Sequence, residues 1–250
     1  MLKEETVDEI LEGSLKIRQS RRGYRFNLDS LILAHFVTAT PRSVNLDIGC
    51  GNGVIALVLA RRFPESRWHG LEFQPALAEL AKKNAEDNGL DRRVTIDQAD
   101  AGNIKNMYAA RTFDNVVFNP PYRKINSGRI NPLAQKAIAR HEIHGSLALF
   151  LEAARHALKP TGRVFTIYPA SRMVTLITHF RTSGIEPKRM KLVFSDAESV
   201  AQFVVVEGRS GSREELTMEP PLYIYESGRA YTEAMKRIFT DLTSCPTAGE

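Results

Sequence analysis

Apolar positions recur along this chain with two periods that alternate in a regular order. Val44–Ile48, Trp68–Leu71, Val94–Asp97, Phe113–Phe118 and Val164–Tyr168 are short runs rich in β-branched and aromatic residues, the pattern of strands buried on both faces. Between or after them come segments with apolar residues at helical spacing: Val54–Phe63, Pro75–Asn88, Leu147–Leu158 and Arg172–Thr182. Pro75 suits a first helical turn, and Gly89 and Gly184 suit the left-handed residue that ends a helix. This alternation predicts parallel strands joined by right-handed crossovers. Then the order breaks. Only Ser195–Gln202 separates Met190–Phe194 from Phe203–Glu207, too little for a crossover helix, so the last two strands are predicted to be antiparallel.

The flanks read less regularly. Thr6 and Glu9 have capping-box spacing, which predicts a short helical turn over residues 6–12. Leu15–Gln19 alternates and, with Tyr24–Phe26, predicts a hairpin turning near Arg22-Gly23. Asn27 or Asp29 is placed to cap an apolar helix over Leu31–Val37, ended ahead of Pro41. Residues 216–226 are proline-interrupted and extended, and Thr232–Leu242 predicts a terminal helix. The expected organisation is a hairpin and helix in residues 1–40, followed by an α/β domain in 41–250. That domain includes a loop of mixed character, 123–146, and a C-terminal extension, 216–250. Long loops inside compact domains are usually functional or disordered.

Composition narrows the class without choosing a function. At 250 residues, 43% hydrophobic and 25% charged, the chain is long enough for one large globular α/β domain with a full core. It has no apolar run of membrane-spanning length, and its opening Met-Leu-Lys-Glu-Glu lacks the apolar core of a secretory signal. Cys50 and Cys245 are therefore expected to be reduced thiols of a cytoplasmic protein. The net charge of +5 permits a nucleic-acid partner, and the distribution favours one. Lys16–Phe26 holds five cations, two aromatics and no acid; Arg123, Lys124, Arg129, Lys136 and Arg140 precede the next acid, Glu142. Arg21, Arg22, Arg25, Arg123, Lys124 and Arg140 are the expected polyanion contacts.

The chemistry concentrates at Phe113–Tyr122, Phe-Asp-Asn-Val-Val-Phe-Asn-Pro-Pro-Tyr. Pro120 and Pro121 lack N–H groups and end the strand at Asn119, at the carboxyl edge where open α/β sheets bind ligands. The Asn119 amide and Pro120 carbonyl can accept two hydrogen bonds from a planar NH2, and Tyr122 can stack on the ring that bears it. A second motif, Asp47-Ile-Gly-Cys-Gly-Asn-Gly, follows the first parallel strand and opens a helix. Gly49, Gly51 and Gly53 allow a tight turn and close approach of a ligand. Asp47 suits a ligand bearing an ammonium group, and Cys50 is read as a small packing residue. Glu72, at the end of the second parallel strand, can accept from ribose hydroxyls; Asp100, at the end of the third, can accept from an adenine amine, beside the Ala101 backbone. His141, Glu142 and His144 read as loop or RNA contacts; no further ligand completes a zinc spacing, and no metal is expected.

Asp-Ile-Gly-Cys-Gly-Asn-Gly, Leu-Glu, Ala-Asp-Ala and Asn-Pro-Pro-Tyr, in this order, resemble the class I S-adenosylmethionine-dependent methyltransferases that act on exocyclic planar amines. The resemblance implies a Rossmann-like, seven-stranded, mostly parallel sheet with a reversed last strand and helices on both faces. It implies S-adenosylmethionine as cofactor, S-adenosylhomocysteine as product, and Asn119, Pro120 and Tyr122 as the catalytic group, with Asn119 also touching the cofactor. Gln19-Ser-Arg-Arg-Gly-Tyr-Arg-Phe-Asn-Leu-Asp-Ser-Leu-Ile-Leu-Ala, Ala139-Arg-His-Glu-Ile and Pro220-Pro-Leu-Tyr-Ile-Tyr resemble the bacterial tRNA(Val) adenine-37 N6-methyltransferases. This implies a tRNA partner for a monomer or homodimer. By analogy with related amino-methyltransferases, the resemblance also implies that residues 1–40 are a cofactor cover and RNA-contact segment, with Arg25, Phe26 and Asp29 lining the methionine end of the cofactor.

Rival readings are a release-factor glutamine N5-methyltransferase, whose substrate presents the same planar NH2, and a ribosomal RNA amino-methyltransferase. The former carries a sizeable helical domain before its glycine loop, whereas fewer than fifty residues precede Asp47 here. A DNA adenine methyltransferase would need a larger target-recognition region than 123–146. A non-catalytic RNA-binding or S-adenosylmethionine-sensing module and an NAD-dependent dehydrogenase are the alternatives from other classes.

Overall fold

The computed structural model describes residues 5–20, 27–120, 146–226 and 230–244. In chain order the elements are β1 (Glu5–Ile10), β2 (Leu15–Ser20), α1 (Leu28–Phe36), β3 (Val44–Ile48), α2 (Val54–Arg62), β4 (Arg67–Glu72), α3 (Pro75–Asp87) and β5 (Val94–Gln98). A 3₁₀ turn (Ala101–Asn103) and α4 (Ile104–Met107) precede β6 (Phe113–Phe118). Then come α5 (Leu147–Ala157), β7 (Leu158–Pro169), α6 (Met173–Thr182), β8 (Ile185–Phe194), β9 (Ala201–Ser210), the two-residue strands β10 (Thr217–Met218) and β11 (Leu222–Tyr223), and α7 (Glu233–Thr243).

Seven strands form the body of one sheet in the order β8-β9-β7-β6-β3-β4-β5; β10 and β11 add to β8 at its outer edge. All of the seven run parallel except β9, which is antiparallel to both β7 and β8. This is the Rossmann-like arrangement with one reversed strand. Strand residues divide between the faces by strict alternation, as pleating requires. Val117 and Val205 point into a core shared with α1, α2, α3 and α7, while Val116, Phe118, Val204 and Val206 point into one shared with α5 and α6. Both faces are dry, which is why these strands read as unbroken apolar runs.

Helix ends are set locally. Ser146 Oγ accepts from Leu149 N at 3.2 Å and Thr232 Oγ1 from Met235 N at 3.1 Å, each satisfying a first-turn donor. At the other end of α1, Arg62 Nη1 lies 3.0, 2.7 and 2.9 Å from the carbonyl oxygens of Ala34, His35 and Val37.

The N-terminus departs from expectation. Residues 5–10 form a strand and not a helical turn, and the hairpin is β1–β2, turning through Leu11–Ser14 and not at Arg22-Gly23. Leu11, Glu12 and Gly13 all have positive φ, at 52, 56 and 78°, so the turn uses left-handed conformations at two residues whose side chains do not favour them. Tyr24–Phe26 lies outside the described residues. Helix α1 starts three residues earlier than expected, with Asn27 at the cap position but making no side-chain cap bond. Asp29 sits inside the first turn, where its Oδ1 accepts from Ser30 N at 2.7 Å. The short helix α4 was not foreseen, and β8 and β9 run several residues beyond the apolar stretches that marked them.

Candidate active site

Four neighbouring strands bring the polar strand-end residues to one rim. Across β6-β3-β4-β5 the register pairs Asp47 with Val117 and with Gly70, and Glu72 with Gln98. Asn119, the Asp47–Gly53 loop, Glu72 and Asp100 therefore follow one another along the carboxyl edge. The chain leaves β3 toward β4 and β5 on one side and returns through β6 and β7 on the other, so the rim includes the topological switch point.

The glycine loop is held from below. Gly49 N and Cys50 N donate to Leu71 O at 2.7 and 3.1 Å, and Gly53 N to Cys50 O at 2.8 Å. Gly49, Gly51 and Gly53 have φ of 70, 59 and 84°, the left-handed region that only glycine enters freely. Space adds a second demand at two of them. A Cβ on Gly49 would lie 3.2 Å from the Phe150 ring, and one on Gly53 would lie 3.1 Å from Ala81 Cβ. Cys50 is buried, its thiol pushed up by desolvation first and then by Asp47 and Glu72, so it stays protonated. Its Sγ fills the space over Gly70, where a Cβ would come within 2.8 Å. Packing, not thiol chemistry, explains it.

Glu72 does more than the sequence suggested. It is 5% exposed, and its Oε2 accepts from Gly51 N and its Oε1 from Gln74 N, both at 2.8 Å. The carboxylate thus braces the loop. Asp100 likewise has a structural duty: its Oδ1 accepts from Gly102 N at 2.8 Å and starts the 3₁₀ turn that buries Ala101.

Three rim side chains are left polar, buried and unsatisfied. Asp47 is 0% exposed with neither carboxylate oxygen hydrogen-bonded; Asn52 is 1% exposed with neither amide atom bonded; the Oδ1 of Asn119 is buried and unpartnered as well. Buried polar atoms normally have partners, and orphans gathered at a ligand-binding edge mark a site built for one. Desolvation pushes the Asp47 carboxyl up to about 8, opposed by the nearby Ala56 backbone amide and reinforced by the Glu72 charge. The set fits a cofactor carrying an amino-acid head, a ribose and a base: an acid for an ammonium, a glycine cradle, a ribose acceptor and a strand-end acid for an adenine.

Asp47, Gly49, Gly51, Gly53, Glu72, Asp100, Ala101, Asn119 and Pro120 are thus on adjoining strand ends and the loops that follow them. Arg21, Arg22, Arg25, Phe26, Tyr122, Arg123, Lys124, Arg140, His141, Glu142 and His144 lie outside the described residues, as does loop 123–146 apart from Ser146. One part of the basic run is answered by acids from other elements. Lys16 pairs with Glu9 at 3.9 Å, and Arg18 with Asp87 at 2.5 Å and Glu5 at 3.9 Å. Acids from β1 and α3 meet a stretch that has none of its own. One residue escaped notice: Asn52, hidden among glycines whose purpose seemed backbone alone. A lone amide side chain between Gly51 and Gly53 was the available signal. Among the described residues no group of three or more His, Cys, Asp or Glu could hold a metal, and no helix is long and apolar enough to cross a membrane.

Comparison with known proteins agrees with this geometry. A sequence profile described as a methyltransferase domain matches residues 40–214. A Porphyromonas gingivalis protein named tRNA1(Val) (adenine(37)-N6)-methyltransferase is 35% identical over 147 residues, which is 58% of this chain and 57% of that protein. The chain thus aligns with a little over half of that relative's length. A Pedobacter heparinus protein of the same name is 28% identical over 90% of this chain and 94% of its own. Among solved structures, one described as a predicted O-methyltransferase from Agrobacterium tumefaciens superposes with a TM-score of 0.71 at 20% identity, over 86% of this chain and 96% of that one.

Proposed function

The chain belongs to the methyltransferase domain family, and from that premise we propose that it methylates the exocyclic N6 amine of an adenine in RNA with S-adenosylmethionine. The adenine we assign is position 37, beside the anticodon of a tRNA(Val). Relatives bearing that name, one of them aligned over 90% of this chain, support the RNA and the base. The observation that carries the reaction type is the buried, unpartnered Asn119 Oδ1 at the end of β6, next to the Pro120 carbonyl.

When bound, the cofactor supplies an already activated methyl group, so the protein's part is alignment and charge stabilisation. The nucleophile is the obstacle, because the amine lone pair is delocalised into the adenine ring. Asn119 Oδ1 and the Pro120 carbonyl would accept the two N–H groups, favour a tetrahedral nitrogen and stabilise the positive charge developing on it. Tyr122 would stack on the base, presented unpaired from the anticodon loop. Asp47 would hold the cofactor ammonium, Glu72 its ribose, and Asp100 with Ala101 its adenine. Arg21, Arg22, Arg25, Arg123, Lys124 and Arg140 would meet RNA phosphates.

The test is to incubate the protein with labelled S-adenosylmethionine and total tRNA lacking N6-methyladenosine, then map the label. Label at adenine 37 of tRNA(Val) is expected. Label confined to ribosomal RNA would move the substrate, and label on a release-factor glutamine, with none on RNA, would overturn the adenine assignment.

A further inference from the structure

Helix α3 meets the N-terminal hairpin through two asparagines that use their amides as substitute peptide groups. Asn88 Oδ1 accepts from Lys16 N at 2.9 Å while its Nδ2 donates to Lys16 O at 2.7 Å. One turn earlier, Asn84 Oδ1 accepts from Arg18 N at 2.7 Å and its Nδ2 donates to Arg18 O at 3.1 Å. The periods match: four helical residues rise about 6 Å and two strand residues about 6.7 Å. The edge of β2 that faces away from β1 is thus paired by a helix, not by a strand.

The two asparagines differ in one bond. The second bond from Asn88 Nδ2, just past the end of α3, turns back to Asn84 O in its last turn at 2.7 Å, whereas the second from Asn84 Nδ2 runs to the carbonyl of Asn52 in the glycine loop, at 2.9 Å. Asn84 is 0% exposed, so strand β2, helix α3 and the glycine loop share one buried, fully bonded amide. The residue it fixes by its carbonyl, Asn52, is the one whose own amide is unpartnered in the site. Independent ion pairs, Arg18 with Asp87 at 2.5 Å and Lys83 with Glu5 at 3.7 Å, also tie the hairpin to α3. Losing Asn84 would therefore cut the link to the loop without releasing the hairpin.

We propose that Asn84 is a positioning residue that couples docking of the hairpin to the conformation of the glycine loop, so that cofactor binding and hairpin docking reinforce each other. The coupling rests on the reading of that loop as the S-adenosylmethionine site. It gives the hairpin a role that its distance in sequence from the loop does not suggest. By reciprocity, whatever the cofactor does for the hairpin, the hairpin does for the cofactor.

S-adenosylhomocysteine is the probe, read by calorimetry and by hydrogen exchange of the Lys16 and Arg18 amides in NMR. In the unaltered protein it should slow exchange at both amides about fivefold or more. Asn84→Ala should weaken binding about tenfold and abolish the slowing, while single-turnover methyl transfer at saturating cofactor stays within about twofold. Asn88→Ala should speed exchange at Lys16 yet leave affinity within about twofold. Unchanged exchange on binding to the unaltered protein overturns the coupling, and so does an Asn84→Ala variant that binds like it. Should Asn84→Ala not fold, the exchange response of the unaltered protein and the Asn88→Ala affinity decide. An unaltered protein that binds no S-adenosylhomocysteine overturns the cofactor reading, and the coupling with it; binding without an exchange response overturns the coupling alone.

Discussion

Asp47 offers the sharpest test of the cofactor assignment, because its environment makes a charge claim that can be counted in protons. The carboxyl is 0% exposed, makes no hydrogen bond of ordinary geometry, and has the Ala56 backbone amide and the Glu72 charge for neighbours. With its titration pushed up to about 8, it is neutral at pH 7. A ligand ammonium placed against it favours the carboxylate, so binding near neutrality should expel a proton. At pH 7 only about one molecule in eleven carries the charge, a cost of about 1.4 kcal/mol against binding. At pH 6 it is about one in a hundred. Cofactor affinity should therefore rise close to tenfold between pH 6 and 7, a range in which an α-ammonium of pKa about 7.7–8.0 stays largely protonated. Titration calorimetry at pH 6.5 in buffers of different ionisation enthalpy should report nearly one proton released per cofactor bound.

Asp47→Asn should abolish the proton release, flatten the pH profile and weaken binding throughout. It should also change stability in a defined direction. A carboxyl whose folded titration point is raised binds more protons folded than unfolded between about pH 4 and 8, so its contribution to stability falls as pH rises through that window. The variant should lose that decline, and thermal melts of the ligand-free protein should converge with the parent at low pH and exceed it near pH 8. If the parent binds cofactor with no proton exchange and a flat profile between pH 6 and 7, Asp47 does not face the ammonium and the assignment fails.

Asn119→Ala should lower the single-turnover rate about 10²–10³-fold with cofactor and tRNA affinities little changed, since the lost bond strengthens only as the amine becomes tetrahedral; a collapse in cofactor affinity with normal turnover would make Asn119 a cofactor residue. Glu72→Ala should lower cofactor affinity by at least about 1.5–3 kcal/mol and also lower the melting temperature of the ligand-free protein, because the Gly51 and Gln74 amides lose their acceptor. A variant that loses affinity with no loss of stability would show that the bracing bonds contribute nothing. Arg62→Ala should cost about 2–3 kcal/mol in urea unfolding, since the guanidinium closes three carbonyls at the end of α1; a cost below about 0.5 kcal/mol would mean that water replaces it.

The parallel sheet was legible because its strands are buried on both faces and leave unbroken apolar runs, and because glycine and proline punctuate the helices between them. The N-terminal hairpin was not. Glu-Thr-Val-Asp-Glu-Ile carries three acids in six residues, and its place as β1 depends on β2 and on cations from elsewhere. Its turn uses left-handed Leu11 and Glu12 where sequence rules look for glycine or asparagine. The last parallel strand, β8, begins at Ile185 in a stretch interrupted by Pro187, which is tolerable at a position that the sequence alone does not locate.

The rim was legible residue by residue, yet the second use of each residue was hidden. Glu72 could be read as a ligand acceptor from its place at a strand end, but its bonds to Gly51 and Gln74 exist only once two loops meet. In sequence Asn84 is one more polar residue on a helix, and its period of four from Asn88 acquires meaning only against the period of two in β2. Lys16 and Arg18 show the converse error: a stretch free of acids in sequence is not free of them in space, because Glu9 reaches Lys16, and Glu5 and Asp87 reach Arg18, from other elements. Charge patterning along a chain therefore identifies RNA contacts only where the fold leaves the cations unanswered. By that criterion Arg18 belongs to the clamp on α3, and the assignment to RNA rests on the cations beyond it.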